Sequence, residues 1–264
     1  TVLTCKENNN KQKKKINLNK AKIFYFSCIG NMLYGISFGA LFELFKIAVY
    51  KRKNVDIVWF GGTWNLFTVI GPIVCRIFSL KYIITPHGML IPKLIKKKSK
   101  FLKLFVVKFF LKKNLTKALK VHFTAKKEFK DTIKVVKAEI KPIIFPLTFN
   151  LKKFDLNLSN KNKKLILSFI GNIQKKKRID LVFEALKLLP INIKNKLKFH
   201  IIGTDKDDIL KNYKYFEKNF GVEIHFFGPL FKTELVKAYH LTDIFILCSE
   251  SENFGISVVE AAYS

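Results

Sequence analysis

Acidic residues are scarce in this chain: 19 Asp and Glu stand against 49 Lys and Arg in 264 residues, a formal net charge of +30. Arginine is scarce as well, so nearly all of the positive charge is lysine. That excess, with abundant Asn, Ile and Phe, fits a coding bias as readily as selection for a partner. In either case the positive field attracts anions, whether nucleotide, phospholipid or nucleic acid. Cysteine is limited to Cys5, Cys28, Cys75 and Cys248, widely spaced, with no C-x-x-C pair and no neighbouring histidine. Neither a disulfide framework nor a metal site is expected from that pattern, and free thiols in apolar surroundings suit a reducing cytoplasm. Disorder throughout is excluded, because 49% of the residues are hydrophobic.

Unbroken apolar runs of membrane-spanning length are also lacking. Residues 23–42 and 57–75 carry no charge and approach the length that crosses a bilayer. The first is interrupted by Gly30, Asn31, Gly35 and Gly39, the second by Gly61, Gly62, Asn65, Gly71 and Pro72. Such breaks fit a strand, a loop and then a helix inside a soluble α/β core. The opening residues, Thr-Val-Leu-Thr-Cys, do not read as a secretory leader.

What is present is a regular alternation. Strands are expected at 1–4, 23–28, 56–60, 82–85 and 121–124, and helices at 37–52, 64–79 and 101–119, with a hydrophilic loop at 6–15. Pro142, Pro146 and polar residues mark a linker at 141–160. A second series follows, with strands at 165–170, 198–202, 223–227 and around Ile244, and helices at 179–189, 209–219 and 233–240. Strands apolar on both faces, alternating with helices, predict an α/β fold of parallel, doubly wound, Rossmann-like sheets. Two units are expected, residues 1–150 and 151–264.

The chemistry concentrates at strand ends. The apolar run 243–248 leads into Ser249-Glu250-Ser251-Glu252-Asn253-Phe254-Gly255 and then a helical pattern containing Glu260. A helix start offers unpaired N–H groups and a positive dipole end to a phosphate, and carboxylates accept hydrogen bonds from sugar hydroxyls. Upstream, Ser168-Phe169-Ile170-Gly171-Asn172 runs into Gln174-Lys175-Lys176-Lys177-Arg178, a strand and a basic loop whose cations suit a departing diphosphate. Thr85-Pro86-His87-Gly88 closes a strand of the first unit, where doubly wound sheets place ligands. Residues 93–120 hold eleven lysines and no acidic residue, interleaved with Phe and Leu. That stretch reads either as a helix resting on an anionic leaflet or as one packed on the sheet with its lysines solvated. No nucleic-acid-binding module is visible.

Glu252-Asn253-Phe254-Gly255 with Glu260 resembles the E-x7-E signature of family 4 retaining glycosyltransferases, which have the GT-B fold. The resemblance implies two Rossmann-like domains and a nucleotide-sugar donor carrying UDP, GDP or ADP, with no resident cofactor. It also implies an acceptor-side first domain lacking its first strand and a donor-binding second domain lacking its end, both incomplete because the chain lies within a longer enzyme. Glu252 would contact the donor sugar beside Asn253, Phe254 and Gly255, while Glu260 would hold the ribose. Lys177 would bind the diphosphate near Gly171, and His87 would face the sugar and the acceptor. The chain departs from the family at Asn172, where an arginine is expected, and Arg178 or Lys175 are the candidates to compensate. A glycan or lipid-linked acceptor, used in cell-surface polysaccharide or glycolipid synthesis, would put the enzyme in the cytoplasm, on the inner face of the plasma membrane. Two other readings stay open: a non-catalytic basic protein that binds membrane or nucleic acid, and a GT-B pseudoenzyme.

Overall fold

The computed structural model describes residues 2–6, 14–18, 21–27, 29, 37–96, 99–147, 164–212, 221–252 and 254–264. The chain divides into two compact units, Thr1–Leu147 and Thr148–Ser264.

The first unit opens with strands β1 (Val2–Lys6), β2 (Lys14–Leu18) and β3 (Ala21–Ser27), followed by helix α1 (Phe38–Tyr50). Then come β4 (Val58–Gly61), α2 (Leu66–Ile77), β5 (Tyr82–Thr85) and the short α3 (Pro92–Lys96). Helix α4 (Lys100–Val106) passes through a π turn (Val107–Leu111) into α5 (Lys112–Thr116), ahead of β6 (Lys120–Phe123), α6 (Lys126–Val136) and β7 (Pro142–Ile144). Strands β4-β5-β6-β7 form one parallel sheet, and a second sheet has the order β1-β3-β2 with β2 antiparallel. Phe60, Ile84 and Phe123, one from each of three neighbouring strands, are buried in the core. Helix α2 approaches β4 closely because Gly71 has no side chain: a Cβ there would lie 2.4 Å from the Phe60 ring. Its first turn is capped by Asn65, whose side-chain oxygen accepts the Thr68 N–H at 2.8 Å.

Three sequence expectations change here. Lys14 and Lys15, expected in a loop, begin β2, because Lys15-Ile16-Asn17-Leu18 alternates as a strand does. The helix expected at 101–119 is widened by its π turn. Pro142–Ile144, expected in the linker, is an exposed edge strand, a place where proline costs no ladder bond.

The second unit runs β8 (Leu165–Ile170), α7 (Ile179–Leu188), α8 (Ile191–Lys194), β9 (Leu197–Ile202), β10 (Glu223–Gly228), α9 (Lys232–His240), β11 (Ile244–Phe245) and α10 (Ile256–Tyr263). Its sheet has the order β10-β9-β8-β11, and every pair is parallel. Phe169, Phe183 and Phe199 are fully buried between the sheet and α7. The run 243–248, expected as a buried strand, pairs with β8 only through Ile244 and Phe245. Being at the sheet edge, Ile244 remains 46% exposed. Of the helix expected at 209–219, Ile209–Asn212 form a 3-10 turn, and 213–220 lie outside the described residues.

Candidate functional site

Three loops leave the C-terminal ends of β8, β9 and β11, the end where parallel sheets bind ligands. The glycines that end β8 and β9 are in close register. Gly171 donates its N–H to Ile202 O at 2.9 Å, and Gly203 has φ +147. A Cβ on Gly203 would fall 1.9 Å from Gly171 O, so the two strand ends approach at a distance that excludes any side chain. Beyond Gly171, Ile173 bridges to Asp205, and the Asp205 carboxylate accepts the N–H groups of Ile209 and Leu210 at 2.9 and 2.8 Å. Asp207 accepts the Lys175 N–H at 2.9 Å. The basic loop is therefore tied down by its neighbour.

The same loop meets the terminal motif. Glu250 donates its N–H to Lys176 O at 2.9 Å, and the Lys177 ammonium donates a hydrogen bond to Glu252 Oε1. The Lys177 and Glu252 side chains are 14% and 29% exposed, so this pair is partly withdrawn from water. Partial burial pushes the Glu252 carboxyl up. The hydrogen bond from Lys177 and the charges of Lys177 and Lys176 outweigh it, so the carboxyl lies below its ordinary value. Gly255, at φ +71, caps α10 in the left-handed conformation, and Phe254 precedes it, half-buried. Glu260, on α10, accepts a hydrogen bond at 3.0 Å from the hydroxyl of Tyr239, a buried residue of α9. Burial raises the Tyr239 hydroxyl well above its ordinary value, and the Glu260 charge adds to the rise. Asn253 lies outside the described residues.

Two carboxylates that look alike in sequence thus have different partners, Lys177 for Glu252 and Tyr239 for Glu260. Asn172 is exposed. Of its candidate substitutes, Arg178 is committed to Asp180, with Nη2 2.8 Å and Nε 2.9 Å from the carboxylate. Lys175 is exposed. Tyr239 was not legible, since nothing in the sequence links it to Glu260; the glycine after each apolar strand run could have pointed to Gly203.

In the first unit, His87 sits in the turn after β5. Met89 N donates to Pro86 O at 3.2 Å, and His87 and Gly88 have φ +53 and +69. A histidine at positive φ is uncommon, so the turn is held against a preference. Three contacts hold it. The Trp64 indole N–H donates to Met89 O at 3.2 Å. His87 Nε2 lies over Gly61, 3.5 Å from where a Cβ would stand. Gly88 donates its N–H at 2.6 Å to Glu128 Oε1, whose second oxygen accepts both the N–H and the hydroxyl of Thr124 at 2.9 and 2.8 Å. Burial lowers the His87 imidazole below its ordinary value; Glu128 opposes that shift and His122 adds to it. His122 itself is structural. Its Nε2–H donates to Phe145 O at 2.9 Å, which leaves Nδ1 to accept from the Thr85 hydroxyl at 3.1 Å.

Among the described residues no group of three or more His, Cys, Asp or Glu side chains could hold a metal ion. No helix is long and apolar enough to cross a membrane among those residues. Cys75 is buried, its thiol pushed up to about 12 by burial.

Two α/β units with parallel sheets define the class: the fold is that of GT-B glycosyltransferases. Within the second unit, residues 152–264 match the family described as glycosyl transferases group 1. Three solved structures show the likeness. Sucrose-phosphate synthase from Thermosynechococcus elongatus superimposes with a TM-score of 0.68 at 18% identity, covering 98% of this chain and 67% of its own. Anabaena HepE, solved with UDP and glucose, gives 0.66 at 15%, covering 92% and 65%. WaaG, a glycosyltransferase involved in lipopolysaccharide biosynthesis, gives 0.66 at 14%, covering 95% and 68%. At such identities the likeness is one of fold, and the chain spans about two thirds of those structures' length. No curated protein matches by sequence.

Proposed function

We propose that this chain carries the site of a family 4 retaining glycosyltransferase, which moves a sugar from a nucleotide-sugar to a hydroxyl acceptor. The acceptor oxygen bonds to the anomeric carbon, the anomeric C–O bond to the diphosphate breaks, and the nucleoside diphosphate departs with the hydroxyl proton. The observation that carries the reading is the Lys177–Glu252 pair beside the start of α10. There a cation suited to the leaving diphosphate and a carboxylate suited to the sugar hydroxyls are held together. Glu260, oriented by Tyr239, is assigned to the ribose, and Phe254 and Gly255 to the donor sugar. Gly171 is assigned to the approach of the diphosphate, with Asn172 and Asn253 beside it, and His87 to the sugar and acceptor. The donor is a UDP- or GDP-sugar, a substrate that requires no resident cofactor or metal. HepE, solved with UDP and glucose, favours UDP. Glu260→Ala should weaken UDP-glucose binding by about 1–3 kcal/mol in calorimetry, as for a lost hydrogen bond to a charged group. Unchanged affinity would remove the ribose assignment.

A specific observation supports a membrane-proximal, lipid-linked or glycan acceptor of cell-surface synthesis on the cytoplasmic face. Phe101, Phe105 and Phe109 recur every four residues along α4 and the π turn and are 86%, 52% and 56% exposed. Lys96, Lys100, Lys108 and Lys112 flank them, also exposed. Aromatic rings with snorkelling lysines suit the surface of an anionic leaflet. Exchanging those four lysines for Gln should loosen co-sedimentation with phosphatidylglycerol vesicles and leave UDP-glucose affinity alone. Equal binding to neutral vesicles would remove the membrane contact. The pseudoenzyme reading rests on Asn172, with Arg178 already held by Asp180; donor binding without turnover would establish it.

A further inference from the structure

We infer that Glu128 is a positioning residue for His87, holding its strained turn. The inference rests on the assignment of His87 given above. Glu128 is only 4% exposed, in the first turn of α6, and both of its oxygens are occupied by donors from other segments. One takes the Gly88 N–H and the other takes Thr124 at the end of β6. The carboxylate therefore joins the His87 turn to α6 and the neighbouring strand end by charge-assisted bonds.

The Gly88 N–H belongs to the peptide immediately after His87, so its acceptor fixes where the imidazole stands. Without it, the turn loses the charge-assisted member of the three contacts that hold a histidine at φ +53. The burial is also a chemical statement. A carboxylate taken out of water is costly unless donors surround it, and a structural bond between a turn and a helix could be made by a neutral amide. A charge in that place also acts on His87. The ionisable groups that act on His87 are Glu128 on α6, which favours its protonated form, and His122 on β6, which opposes it. Lys126 and Lys127 on the same turn of α6 are exposed, and Lys127 is paired with Asp131 at 2.8 Å.

The test uses the full chain, two variants of Glu128 and two of His87. Proton NMR of His87, assigned by comparison with His87→Gln, should show its titration midpoint moving to lower pH in Glu128→Gln, because the opposing charge is gone. Sugar transfer from UDP-glucose should fall about tenfold or more in kcat with little change in KM, as for a lost bond to a charged group. Glu128→Asp keeps the charge but draws the carboxylate back by one methylene. It should keep the midpoint and still lose kcat. An unmoved midpoint in Glu128→Gln refutes the electrostatic role, and a fully active Glu128→Asp refutes the positioning role even if the Gln variant does not fold. Should His87→Ala retain turnover while the midpoint moves as expected, the assignment of His87 fails and the control of its charge by Glu128 stands.

Discussion

Glu252→Gln and Lys177→Met, alone and together, isolate the pair at the centre of the proposed donor site. An exposed ion pair couples by about 0.2–1 kcal/mol, and breaking a fully buried one costs about 3–5 kcal/mol. With side chains 14% and 29% exposed, Lys177 and Glu252 fall between these limits. A coupling of about 1–2 kcal/mol at neutral pH is expected from the double-mutant cycle. The pH dependence has a definite sign. The folded carboxyl lies below its ordinary 4.5, so the unfolded chain takes the proton more readily. The contribution is complete above 4.5 and is lost as pH falls through the folded value. Both tryptophans, Trp59 and Trp64, lie in the first unit, so their fluorescence does not report on this one. Hydrogen exchange of the β8 and α7 amides does, with the four proteins compared at pH 7 and again in acid. A coupling below about 0.3 kcal/mol at pH 7, within the range of independent sites, would refute the partly buried pair. So would a coupling that persists unchanged in acid.

Tyr239→Phe removes the donor to Glu260 and should cost about 1–2 kcal/mol of stability, with a parallel loss of UDP-glucose affinity in calorimetry; if neither changes, the contact does no positioning. Gly203→Ala should destabilise the second unit by about 3 kcal/mol or more, because its Cβ meets Gly171 O at 1.9 Å and its φ of +147 is strained for alanine. A wild-type denaturation midpoint would contradict that. Asn172→Arg should raise turnover if the loop lacks only a cation; a fall with the fold preserved would mean that Lys177 and its neighbours have found another arrangement.

The parallel sheets were legible because each strand is a short apolar run bounded by glycine, proline or charge, as in Leu165–Ile170 before Gly171. Helix α6 was harder to read. Its apolar positions, Phe129, Ile133 and Val136, are spaced as on a helix but dispersed among lysines, and Glu128, buried in its first turn, is charged. Pattern reading assigns glutamate to the surface. Only the three-dimensional approach of the β5 turn and the end of β6 explains why this one is inside. Tyr239 was illegible for a similar reason, because its partner lies 21 positions away on another helix. The motif residues could be named from sequence, but the groups that aim them could not.

The basic loop shows why counting cations does not locate function. Residues 175–178 are four consecutive positive side chains, yet they meet different fates. Arg178 stands at φ +51 and is neutralised by Asp180, while Lys175 is held through its backbone by Asp207 and points its charge to solvent. Lys176 lends its carbonyl to Glu250, and Lys177 directs its ammonium onto Glu252 of the terminal motif. A cation acts on a leaving diphosphate only if its position is fixed before the charge develops, since a mobile lysine must be ordered during the reaction. The 3-10 turn from Lys175 to Lys177, pinned at one end by Asp207 and bonded through Lys176 to the Glu250 loop, supplies that order. Exchanging Lys175 for Gln should therefore cost little turnover, whereas the same change at Lys177 should cost most of it.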